Sequence, residues 1–78
     1  MTINELLTLL SKSTDIEIIA ASSWRLVKRP AELGDTLLVE HLGDKVGKER
    51  LTEAAAANFF MEKVSQIAEP VDLRIKIQ

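Results

Sequence analysis

The last third of the chain changes its hydrophobic period at a proline. Ala56, Ala57, Phe60, Met61, Val64, Ile67 and Ala68 recur at helical spacing, whereas beyond Pro70 the apolar residues Val71, Leu73, Ile75 and Ile77 alternate strictly with Asp72, Arg74, Lys76 and Gln78. A period near 3.6 followed by a period of 2 predicts an amphipathic helix and then a strand, so this one segment packs a helix against a sheet. Thr52 is a suitable N-cap, and Glu53 falls in the first turn, where the helix dipole favours an acid. The helix is expected to run to about Ala68. Its start, Ala54 to Ala57, combines high helix propensity with little bulk and so permits close approach to a sheet. The strand from Val71 to Ile77 is expected to keep its charged side wet.

The N-terminal end has an equally clear start. Thr2 and Glu5 have the spacing of a capping box, followed by a predicted helix from Ile3 to about Ser11, with Ile3, Leu6, Leu7 and Leu10 on one face and Leu9 at its margin. Ser13, Thr14 and Asp15 favour a turn. Asp15 to Ala20 then reads as a strand with Ile16, Ile18 and Ile19. Ala21 to Ser23 reads as a turn, and Trp24 to Arg29 as a second strand with Trp24 and Leu26 on one face and Arg25, Val27 and Arg29 on the other. A hairpin is the economical arrangement and one long bulged strand the alternative; Pro30 ends the strand because it cannot donate to a ladder. In the middle, Leu33-Gly34-Asp35-Thr36 is echoed nine residues later by Leu42-Gly43-Asp44-Lys45. One turn plus one strand fits that spacing, predicting strands at about Thr36 to His41 and Lys45 to Arg50. The competing reading is a helix capped by Asp35 with Leu37, Leu38, His41, Leu42 and Val46 as its stripe.

These elements predict an α+β fold in which two helices pack on one face of a small, mostly antiparallel sheet, in the order α-β-β-β-(β)-α-β. The last strand is either an edge or a central insertion. At 78 residues the chain is expected to be a single domain, 1–78, with a thin stability margin. Apolar residues at 46% and charged residues at 28% are ordinary globular values, away from the disordered regime. With no cysteine, neither a disulfide nor a thiolate metal site reinforces the core. The start lacks a basic, apolar leader and no stretch reaches the ~18 apolar residues of a membrane span, so the expected location is cytoplasmic. Ten basic against twelve acidic residues give a formal charge of −2, so any charged partner must be met by a local patch.

Chemical signatures are sparse. His41 is the single histidine and reads as a half-exposed strand residue; catalysis through it would require a carboxylate or serine at its ring. Ser11, Ser13, Ser22, Ser23 and Ser65 lack a nucleophile-elbow context. The run Gly43 to Lys48 superficially suggests a phosphate loop, but three residues rather than four separate Gly43 from Gly47, and Glu49 follows Lys48. It reads better as a hairpin turn. No catalytic residue, cofactor or metal is therefore expected.

Trp24, Arg25, Lys28 and Arg29 combine an aromatic with three cations, the ingredients of base stacking and phosphate contact; the alternative is a core Trp24 with solvated cations. Lys45, Lys48 and Arg50 form a weaker cluster, interrupted by Asp44 and Glu49. Phe59, beside Asn58 and Glu62 at the edge of the second helix's stripe, marks a partner surface if exposed and a wide apolar arc if not.

The order helix, three strands, alanine-rich helix is similar to that of double-stranded-RNA-binding domains, and Gly43 to Val64 resembles their third strand, glycine-rich turn and second helix. The resemblance implies shared architecture only. That family carries a phosphate-gripping lysine cluster at the start of the last helix, where this chain has Leu51, Thr52, Glu53 and Ala54, and the strand from Val71 to Ile77 is an addition.

The expected function is that of a small non-enzymatic binding or regulatory protein acting through protein contacts on an exposed sheet face or edge. Inhibitors and adaptors of phages and mobile elements are often of this size and composition. The alternative is a nucleic-acid-binding module using the Trp24, Arg25, Lys28 and Arg29 cluster. The alternating last strand also offers an edge for a homodimer by strand addition.

Overall fold

The computed structural model describes residues 2–30, 36–46, 52–67 and 73–77. Helix α1 spans Ile3–Lys12, strands β1 Ile16–Ala20, β2 Trp24–Arg29, β3 Thr36–His41 and β4 Asp44–Val46, helix α2 Glu53–Ser65 and strand β5 Leu73–Ile77. The strands form one antiparallel sheet in the order β4-β3-β2-β1-β5. The fold is α+β, as the periodicities predict.

Local chemistry sets the element ends. The Thr2 hydroxyl accepts from the Glu5 amide at 3.2 Å while the Thr2 amide donates to Glu5 Oε1 at 3.1 Å, completing the capping box of α1. Thr52 Oγ1 accepts from the Ala55 amide at 3.1 Å at the start of α2. The β1–β2 hairpin turns through Ala21 and Ser22, with φ of 53° and 59°, and the β3–β4 hairpin through Leu42 and Gly43, with φ of 53° and 89°. Both turns are left-handed, the hand that matches strand twist. The helical alternative for residues 36–46 gives way to a hairpin because Leu37 and Val39 are buried on one side while Leu38 and Glu40 lie on the other.

Both helices lie on the sheet face formed by Ile16, Ile18 and Ala20 of β1, Trp24, Leu26 and Lys28 of β2, and Leu37, Val39 and His41 of β3. Leu6 and Leu10 of α1 and Ala56, Ala57 and Phe60 of α2 complete the core. α2 contacts β2 and β3, its small residues letting Phe60 reach full burial.

Of the two positions expected for the last strand it takes the edge, paired only with β1 among the described strands, and its helix-side residues Ile75 and Ile77 remain 40% and 66% exposed. The reason is positional: α2 sits over β2 and β3, at the other side of the sheet, so alternation made a strand without making a buried one. The fourth strand is Asp44–Val46; the remainder of the expected Lys45 to Arg50 strand, with Lys48 and Arg50, lies outside the described residues. So do Ala68, Val71, Asp72 and Gln78.

Candidate partner-binding surface

Strand parity divides the residues singled out in the sequence between two faces. Trp24 and Lys28 are on the helix side, Arg25 and Arg29 on the open side, so the four do not form one patch. Trp24 packs half-buried against the core and stacks on His41 of the neighbouring strand, with ring centroids 4.2 Å apart and planes at 24°. The described residues give the His41 ring no hydrogen bond. Phe59 is half-buried against the core, with the Lys63 ammonium 5.3 Å from its ring centroid.

Lys28 performs a structural task that its sequence neighbours conceal. It is 4% exposed, and its Nζ donates to the Leu10 carbonyl at 2.6 Å and to Glu53 Oε1 at 2.9 Å. One cation thus meets the negative end of α1 and the acid in the first turn of α2, tying both helices to β2. The sequence signal was present in parity: Lys28 alternates with Trp24 and Leu26. The missing information was that two helix ends arrive opposite it.

The open face carries Glu17 and Ile19 of β1, Arg25, Val27 and Arg29 of β2, Thr36, Leu38 and Glu40 of β3, Lys45 of β4, and Arg74 and Lys76 of β5. No described helix covers it, yet Val27 is 5% exposed, because long charged side chains lie across the strands. They form a continuous chain. Arg29 holds Asp15 at 2.6 Å and Glu17 at 3.3 Å; Glu17 also pairs closely with Arg25, which reaches Glu40 at 3.7 Å. Glu17, the buried centre of this chain, was not legible as a site because its partners are set by the hairpin register. Arg25 Nε is buried without a hydrogen-bond partner.

Toward β5 the balance of charge changes. Arg25 and Arg74 both lie directly opposite Ile19, and Lys76 lies opposite Glu17. Together with Ser22 these residues line a depression of about 350 Å³. Arg74 Nη2 donates to Ser22 Oγ at 3.1 Å, and neither Arg74 nor Lys76 has a carboxylate partner among the described residues. On its other side β5 presents Leu73, half-buried, and the exposed Ile75 and Ile77. The strand is therefore cationic on one face, apolar on the other and unpaired along one edge among the described residues.

No group of three or more potential metal ligands occurs among the described residues, and no described helix is long and apolar enough to cross a membrane. No family model matches the chain, and no curated protein or solved structure is significantly similar to it. With four strands between its helices and a fifth after them, the chain also departs from the helix, three strands, helix order of double-stranded-RNA-binding domains.

Proposed function

We propose that the chain is a small non-enzymatic binding protein, an adaptor or inhibitor, that engages a protein partner along the β5 side of its sheet. The observation that carries this is the apolar row of an edge strand left in solvent: Ile75 at 40% and Ile77 at 66% exposure, beside an edge of β5 that pairs with no described strand. An exposed alternating edge is an aggregation hazard unless it is used or guarded, and a partner strand would bury both its apolar row and its unpaired amides.

Affinity capture from the source cell tests this. The wild-type chain and the Trp24→Ala and Phe59→Ala variants should retain the same protein through nuclease treatment, and the Ile75→Lys/Ile77→Lys variant should lose it. Retention by the β5 variant, confirmed folded by circular dichroism, would refute this assignment.

Nucleic acid is the second reading, supported by the cation surplus of the open face: Arg25, Arg29, Lys45, Arg74 and Lys76 against Glu17, Glu40 and the Arg29-bound Asp15. No aromatic residue accompanies these cations among the described residues of that face, so binding would rest on phosphate contacts alone. Affinity for mixed-sequence DNA and RNA should then fall steeply as salt rises. Absence of binding at low salt would exclude it.

A further inference from the structure

Building on the assignment of β5 as a protein-binding edge, we infer the chemistry of its occupant: an extended segment of another protein that alternates acidic and apolar residues. The inference follows from what each face of the strand lacks. Arg74 and Lys76 project from the open side and have no carboxylate partner among the described residues, while Ile75 and Ile77 project from the helix side into solvent. A strand added antiparallel to β5 places residues directly opposite these four, same face to same face. Acids at two positions would neutralise Arg74 and Lys76, and apolar residues at the alternate positions would continue the row of Leu73, Ile75 and Ile77. Glu17 does not serve this purpose from within, because Arg25 and Arg29 already engage it.

A second copy of the chain fits the same edge poorly. In a two-fold antiparallel pairing centred on Ile75, Arg74 of one copy lies opposite Lys76 of the other. Centred on Arg74 or on Lys76, each meets itself. These three registers, which overlap the strands most fully with the apolar faces together, all juxtapose like cations, which destabilises cross-strand pairs. The same two side chains that discourage self-pairing select an acidic partner.

A seven-residue fluorescent peptide alternating valine and glutamate is the probe, compared with a valine–lysine alternate and with a peptide grouping the same valines and glutamates in blocks. The wild-type chain should bind the valine–glutamate alternate in preference to both, with amide NMR shifts concentrated on Leu73–Ile77. The Arg74→Glu/Lys76→Gln variant, which avoids setting a second acid opposite Glu17, should bind it about tenfold more weakly or worse and should now prefer the valine–lysine peptide. If circular dichroism shows that variant unfolded, Arg74→Gln/Lys76→Gln replaces it, with a loss of about threefold or more. Equal binding to the substituted chain, indifference to residue order, or a self-association abolished by these substitutions would overturn the inference. Shifts confined to Ile19, Arg25 and Val27 would overturn the edge while leaving protein binding on the open face. Failure of every peptide, together with salt-sensitive DNA or RNA binding, would remove the parent assignment as well.

Discussion

Single residues in this chain are placed by parity and then put to uses that parity does not reveal. Lys28 belongs to the inward set of β2, and oxygen partners that include one on each of two helices make that position tolerable for an ammonium. Glu53→Gln removes the opposing charge and should cost about 1–3 kcal/mol in chemical denaturation. The Lys28→Met/Glu53→Gln pair should lose less than the sum of the single changes, and strict additivity would show that the two side chains are not coupled. Leu42 is a different case. It sits 73% exposed at φ 53°, ahead of Gly43 in the β3–β4 turn. Asparagine accepts this conformation better than leucine, so Leu42→Asn should raise stability by about 0.5–1 kcal/mol. Gly43→Ala should lower it by about 1–2 kcal/mol, although nothing lies within 4 Å of an added Cβ, because the constraint there is φ and not space.

At the level of elements, the capping box is both the most legible feature and the most directly titratable. Hydrogen bonds from the Thr2 amide, and then with its side chain, hold the Glu5 carboxyl below its ordinary value of 4.5. A carboxyl lowered on folding contributes stability that is complete above that value and disappears as pH falls through the lower folded one. The stability difference between the wild type and Glu5→Gln should therefore shrink as pH drops below about 4.5; a difference constant with pH would show that the cap does not favour the ionised form. Both helices and the β1–β2 hairpin were readable because caps, Pro30 and periodicity agree over them. Residues 36–46 were ambiguous because Leu37, Leu38 and His41 fit a helical stripe as well as a strand, and only pairing with β2 decides between them. β5 shows the reverse limit: alternation correctly made it a strand, yet it carries no information on how far a helix footprint extends, so the exposure of Ile75 and Ile77 was beyond the sequence.

The whole molecule is a sheet protected unevenly. β2 pairs on both edges and lies beneath α2, whereas β5 has one described neighbour and no substantial helix contact. Amide exchange should follow that gradient, with the hydrogen-bonded amides of β5 exchanging at least about tenfold faster than those of β2 and β3. Equal protection would mean that β5 unfolds only with the whole domain. Among the described residues the two sheet edges also differ in length: β4 offers three residues and β5 five. Under the docking proposed for β5, such a chain has a valence of one: the three described residues of β4 give an incoming strand no matching edge on which to pass the growth on, so docking is expected to end in a complex of defined size instead of propagating into a fibre.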